Sequence, residues 1–419
     1  MNFEKLLRAF DCLCGKKHSC DIKAVIIKEG AILEIPSLID SYENILLIAD
    51  KNTYQVCGDA VRKQLGGKCE NSLVFECEGY LVPDEEAVSK AQKYLTDKTD
   101  LIVGIGSGVI QDLCKYVSFE AKLPYHIVAT APSMDGYASV GAAMIMGNMK
   151  VTYSAHVPEA IIGDVNILKE APMDMIKSGY GDILGKFSCL NDWKLANIVN
   201  GEYICEYVYN MTAEMLDKTK DLGQSLLKRE PAAIKTLMEA LVGVGIAMAY
   251  VGNSRPASGS EHHLSHFFEV TGIMENKPYF LHGIDVVYSA VYTQRLREEL
   301  LGLDKPQKGY KLDTKEYEEK IKSIYSDAAE GVIALQKKLG WYNKDMLPVY
   351  AEKWNEIKAV LSEAPSSDEL IGYLKSIELD ICEFEKMYGQ EKIGNAIWFA
   401  KDLKDRYSVL WMYFDIMYK

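Results

Sequence analysis

The sequence predicts an α/β domain built on a parallel sheet over residues 1–165, followed by an all-α domain over 166–419. Three observations carry this. At 419 residues the chain is too long for one ordinary core. Its first part alternates short apolar runs with stretches of helical periodicity, the pattern of strands joined by crossover helices. Beyond about Asn166 the alternation stops, and the periodicity is helical to the end.

Composition limits the function classes. Hydrophobic (48%) and charged (26%) fractions are those of a soluble globular protein. A net charge of −13 argues against nucleic acid, whose binding needs a basic face, but leaves room for an anionic small molecule. No apolar run reaches the ~18 residues of a membrane span, and Met1-Asn-Phe-Glu-Lys5 lacks the form of a signal peptide. A cytoplasmic protein without membrane contact is expected, its ten scattered cysteines reduced. The cluster Cys12, Cys14, His18 and Cys20 is tight for a zinc site and reads as a reduced surface segment.

Ala24–Ile27, Ile45–Ala49, Ser72–Phe75, Leu101–Gly104 and His126–Ala129 have the length of buried strands, with helices such as Pro83–Thr96 and Val109–Ala121 between them. Such sheets bind ligands at the carboxyl ends of their strands. Leu101-Ile-Val-Gly-Ile-Gly-Ser-Gly108 leaves a strand through Gly104, Gly106 and Gly108 and enters a helix, where small residues and free N–H groups suit a pyrophosphate. The spacing is not that of the dinucleotide fingerprint, and the same residues serve as an ordinary strand-to-helix turn. Asp50, after the second strand, suits ribose hydroxyls or a simple turn. Thr130-Ala-Pro-Ser-Met-Asp-Gly-Tyr-Ala-Ser139 follows the next strand as a polar loop with Asp135 at its centre. Met149–Tyr153 and Ala160–Asp164 are expected to form a hairpin that closes the domain.

In the second part, Ala232–Tyr250 reads as a long apolar helix at the centre of the all-α domain. Lys311–Leu339, Trp354–Glu363 and Asp368–Tyr388 read as charged amphipathic helices, and Ile397–Met417 as an aromatic one that suggests a homodimer. Four of the seven histidines fall between His262 and His282. On a helix, His262 and His266 share a face and His263 points elsewhere. His262 and His282 form a divalent-metal pair if another element supplies a carboxylate, and Asp182 in Ser178-Gly-Tyr-Gly-Asp182 meets that need, although a helix N-cap has the same local sequence.

With these phrases in this order, the chain resembles the superfamily of dehydroquinate synthases, glycerol dehydrogenases and iron-containing alcohol dehydrogenases, and within it the bacterial sn-glycerol-1-phosphate dehydrogenases. Thr130–Ser139, Gly179-Tyr-Gly-Asp182, Arg255–His266 and His282-Gly283 carry the likeness. It implies a dehydroquinate synthase-like fold, a Rossmann-like parallel-sheet domain plus an all-α C-terminal domain with the active site in the cleft between them. It further implies that Asp182, His262 and His282 bind the metal, and that Asp135, Asp182 and His266 contact substrate, with Asp135 and His266 catalytic. Asp50, Gly106, Gly108, Val109, Ile110, Gln111, Asp112, Thr130, Ala131, Pro132, Ser133 and Ser139 are then expected to line NAD(H) or NADP(H).

The activity implied is reversible, metal-dependent, NAD(P)H-linked reduction of dihydroxyacetone phosphate to sn-glycerol 1-phosphate. The alternatives are a polyol dehydrogenase of the same superfamily and a dehydroquinate synthase-type lyase. Imidazole and carboxylate ligands suit zinc, nickel and iron alike, and Asp50 leans towards NAD. Lys150, His156 and Arg255 are the cations available for the substrate phosphate.

Overall fold

The computed structural model describes every residue except Glu78, Tyr80, Asn148, 308–312 and Lys419, and the backbone alone of Met149 and Lys150. By internal packing the chain divides into two compact units, residues 1–183 with 210–254, and residues 184–209 with 255–419.

The first unit is built on six parallel strands: β1 (Ala24–Lys28), β2 (Ile45–Asp50), β3 (Cys69–Phe75), β4 (Leu101–Gly106), β5 (Tyr125–Ala129) and β6 (Ala160–Asp164). Their order is β1-β6-β5-β4-β2-β3. β2, β4, β5 and β6 are buried along their whole length, which is why each reads as a continuous apolar run. The helices used below are α1 (Lys51–Leu65), α2 (Glu85–Tyr94), α3 (Gly108–Ala121), α4 (Met173–Leu184), α5 (Lys186–Asn200), α6 (Pro231–Val251), α7 (Ser260–Glu275) and α8 (His282–Leu301). Val61 and Leu65 of α1 pack on Leu47, Val103 and Ile105 in the core.

Sheet order decides where a ligand fits. From β2 the chain moves outward to β3, and from β4 it moves the opposite way to β5, so neighbouring strands β2 and β4 mark a topological switch point. In such sheets the crevice for a ligand opens at the carboxyl ends of those two strands. Asp50 and Ser107 stand there, with the loop after β5 one strand further on.

In this unit two expectations change. Ala160–Asp164 is no hairpin partner of Met149–Ser154: it lies parallel between β1 and β5, while Met149–Ser154 pairs antiparallel with Gly141–Met146. An isolated apolar run carries no sign of the direction in which it pairs. The segments 166–183 and 210–254, expected in the all-α domain, group with the sheet. α6 shows why, because a Cβ on its Gly245 would lie 2.8 Å from Ala138 Cβ and 2.8 Å from the Asp135 carbonyl oxygen. The helix is packed hard against the loop after β5. α6 is long and apolar enough to cross a membrane by length and composition alone, but Lys235 and Glu239 interrupt its apolar run and most of the helix is buried.

The second unit is helical. The expected helix Lys311–Leu339 begins outside the described residues and is two helices, Thr314–Tyr325 and Ala329–Leu339, broken where Ser326 takes φ 42°. The expected final helix is likewise divided, into a 3-10 turn Ala400–Leu403 and a helix Val409–Met417. Within the 3-10 turn Lys401 and Asp402 are fully buried, and Tyr317 and Tyr342 donate to the Asp402 carboxylate. Trp411, Tyr413 and Phe414, the aromatics behind the expected homodimer, are buried.

Candidate active-site residues

In the sheet unit, β4 passes into α3 through glycines that have no room for side chains. A Cβ at Gly106 would lie 2.5 Å from Ile110 Cβ, and one at Gly104 would lie 2.8 Å from Cys114 Sγ. Gly108, Val109, Ile110, Gln111 and Asp112 form the first turns of α3, and the N-terminus of that helix faces the switch point. Gln111 and Asp112 both turn inward. Gln111 is buried and donates to Tyr125 Oη and to the Tyr137 carbonyl, while Asp112 accepts from Lys115 and from the Ala143 N–H. Asp50 caps α1 through a capping box, with Oδ1 accepting from the Thr53 N–H and the Thr53 hydroxyl paired with the Asp50 backbone.

Thr130, Ala131, Pro132 and Ser133 run from β5 across the middle of α4. A Cβ on Gly179 would meet the Pro132 carbonyl oxygen at 1.8 Å, so only glycine allows the two segments to touch. On either side of it, Ser178 Oγ donates to the Ser133 carbonyl and Asp182 Oδ2 accepts from the Asp135 N–H at 3.0 Å. Asp135 and Asp182 are both buried. From the other side, Lys115 Nζ reaches the Gly136 and Gly141 carbonyls and Ser139 Oγ. Burial lowers the Lys115 pKa, and Asp112 opposes the shift. Lys115 was missed in the sequence; the available signal was a lysine one turn after Asp112 on a mostly apolar helix.

In the helical unit, His262 and His266 share a face of α7, and α8 begins at His282. Ring centroids are 6.0 Å apart for His262 and His266, 5.1 Å for His262 and His282, and 5.7 Å for His266 and His282. His263 points away and is fully buried, and burial followed by the charges of Arg406, Lys404 and Arg255 holds it well below the usual imidazole pKa. Glu261 supplies what the sequence reading lacked. Its Oε1 lies 2.6 Å from His262 Nδ1 and accepts from the Gly259 N–H at 2.8 Å. Burial pushes the Glu261 carboxyl up, and the Gly259 N–H works against it. A carboxylate at this distance favours the proton of His262 on Nδ1, which leaves the lone pair on Nε2. Glu269, one turn after His266, brings a second possible set, because one ligand atom from each of His266, Glu269 and His282 lies within 4.8 Å of the others.

The N-terminus of α7 is anchored by charge. Asp192 of α5 accepts from the Ser260 N–H at 2.6 Å and pairs with Arg297 of α8 at 2.8 Å, both side chains fully buried. A Cβ on Gly259 would lie 2.7 Å from Asp192 Oδ2. Of the cations weighed for phosphate, Arg255 is buried and engaged by Glu202 and by the Tyr407 and Asp192 carbonyls. His156 bonds to Ser118, with burial lowering its pKa, and the Lys150 side chain lies outside the described residues.

The donors fit a divalent metal by their chemistry: an imidazole with a fixed tautomer, further imidazoles beside it, and a buried carboxylate.

Known proteins resemble this chain in sequence and in fold. Residues 26–172 match the iron-containing alcohol dehydrogenase family. A glycerol-1-phosphate dehydrogenase of Halalkalibacterium halodurans, named for use of NAD(P)+, is 32% identical over 70% of this chain and 76% of its own. One from Bacillus velezensis is 30% identical over 97% of this chain and 95% of its own. Among solved structures, a probable glycerol dehydrogenase from Sinorhizobium meliloti has the same fold, with a TM-score of 0.58 over 93% of this chain and 92% of its own at 16% identity.

Proposed function

The chain belongs to the glycerol-1-phosphate dehydrogenase family, and from that premise we propose that it catalyses the reversible, metal-dependent reduction of dihydroxyacetone phosphate by NADH or NADPH to sn-glycerol 1-phosphate. The observation that carries the reading is the Glu261–His262 pair, since a buried carboxylate that fixes an imidazole tautomer is the support a metal ligand requires. Asp182, His262 and His282 are the proposed ligands. When bound, the divalent ion supplies Lewis-acid polarisation of the C2 carbonyl, and the nicotinamide supplies the hydride.

The chain's own residues do the rest. The N-terminus of α3 offers N–H groups and positive potential to the cofactor pyrophosphate, and Asp50 offers the ribose an acceptor, Oδ2, that the capping bond leaves over. The backbone of Thr130–Ser133, pressed on Gly179, gives the nicotinamide a rigid, dry wall. Asp135, held in register by its own N–H on Asp182, orients a substrate hydroxyl through its carboxylate. His266 delivers the proton to the C2 oxygen from a ring nitrogen.

The test is NAD(P)H oxidation, followed by absorbance, with dihydroxyacetone phosphate before and after chelation and after return of zinc, nickel or iron. The reading requires consumption that chelation abolishes and metal restores, with the 1-phosphate as product. A preference for unphosphorylated glycerol, or no net use of NAD(P)H, would overturn it.

A further inference from the structure

The active-site reading leaves the N-terminal segment Cys12-Leu-Cys14-Gly-Lys-Lys-His18 without a role. It is a small hairpin in which Phe10–Asp11 and Lys17–His18 pair antiparallel. The turn closes through the Cys12 N–H on the Lys16 carbonyl and the Gly15 N–H on the Cys12 carbonyl, each 3.0 Å. Gly15 takes φ +84°, a conformation that favours glycine.

This turn resolves the difficulty of the tight spacing. Folded back, it places one ligand atom of each of Cys12, Cys14 and His18 within 4.8 Å of the others. Cys14 Sγ and His18 Nε2 are 3.5 Å apart. With zinc–sulfur and zinc–nitrogen bonds of about 2.3 and 2.1 Å, a tetrahedral site separates sulfur from nitrogen by about 3.6 Å. His18 is fully buried, between Phe10 and Tyr250. Its Nδ1 lies 2.9 Å from the Tyr250 carbonyl oxygen, which only accepts, so the proton sits on Nδ1 and the Nε2 lone pair faces Cys14. A backbone carbonyl that fixes the tautomer in this way is a standard support for a metal-bound histidine. Cys20, the fourth soft residue of the segment, is buried and its thiol is not among the grouped ligand atoms.

We propose that Cys12, Cys14 and His18 form a second metal site, structural in type, which takes a zinc-like divalent cation through at least two thiolates and one imidazole. Binding converts the two thiols to thiolates and releases two protons. The cation then pins the hairpin to the end of α6 through His18 and Tyr250.

Cobalt(II) distinguishes this site from the one proposed for catalysis, because only thiolate ligands give an intense near-ultraviolet sulfur-to-cobalt charge-transfer band. Reduced, metal-free full-length chain is titrated with cobalt(II). The expected result is a band that saturates at one equivalent per chain, is displaced by zinc, persists in His262→Ala and Cys20→Ser, and is lost in the Cys12→Ser/Cys14→Ser double variant. Absence of the band from the unaltered chain overturns the proposal whatever the variants do, and so does a band retained in the double variant.

Discussion

In the sheet unit, Asp135 and Asp182 are placed by close backbone approach. Gly179 lies against the Pro132 carbonyl, Gly245 lies against Ala138, and the Asp135 N–H donates to Asp182. In the helical unit, His262 is placed by charge: Glu261 fixes its tautomer, and Asp192 with Arg297 anchors the start of its helix. Steric placement is all-or-none, since a side chain either fits or forces two elements apart. Electrostatic placement is graded, because a weakened partner still holds in part. The two units should therefore respond differently to small changes.

The largest effect is expected at Gly179. Gly179→Ala puts a carbon 1.8 Å from the Pro132 oxygen, and α4 must leave the loop after β5. A loss of more than about 3 kcal/mol in urea unfolding is predicted; unchanged stability would contradict the steric account. Asp192→Ala comes next. It leaves Arg297 buried without its carboxylate, a defect that costs about 3–5 kcal/mol. Asp192→Asn, which keeps the shape, should lose less, and equal losses would remove the graded character claimed for this unit.

A pH titration of stability probes both units. Burial lowers the pKa of His126 in the sheet from 6.5 to about 4. The unfolded chain therefore binds the proton first, and the contribution is complete above pH 6.5 and lost as pH falls towards 4. It amounts to about 3 kcal/mol, and His126→Phe should flatten the profile over that window. His263 in the helical unit shifts in the same direction, so its loss also starts below pH 6.5. Glu261→Gln should weaken metal binding about 10–100-fold in a chelator competition while leaving the fold intact; unchanged affinity would detach Glu261 from the metal site. Asp50→Ala, the smallest, removes a helix cap for about 1 kcal/mol and should raise the KM for NADH.

Legibility in the sequence follows the same division. Runs such as Ile45–Ala49 and Leu101–Gly104 are visible because strands buried on both faces are apolar throughout. Asp135, Asp182 and the histidines stand out as polar groups among small residues or at helical spacing. Glu261 lies inside a phrase that was recognised, yet a glutamate beside a histidine reads as solvated; only its burial reveals its role. Asp192 and Arg297 are 68 and 37 residues from Ser260, and no local pattern joins them. The tight spacing of Cys12, Cys14 and His18 argued against a metal, because a turn at positive φ cannot be read from ligand spacing alone.

The most direct test of the central claim is turnover of dihydroxyacetone phosphate and NADH by His262→Ala with metal in excess, beside His263→Ala as the adjacent control. The account predicts that His262→Ala loses turnover together with its saturable dependence on metal, whereas His263→Ala keeps that dependence in whatever fraction folds. Full turnover by His262→Ala with an unchanged metal dependence would contradict it.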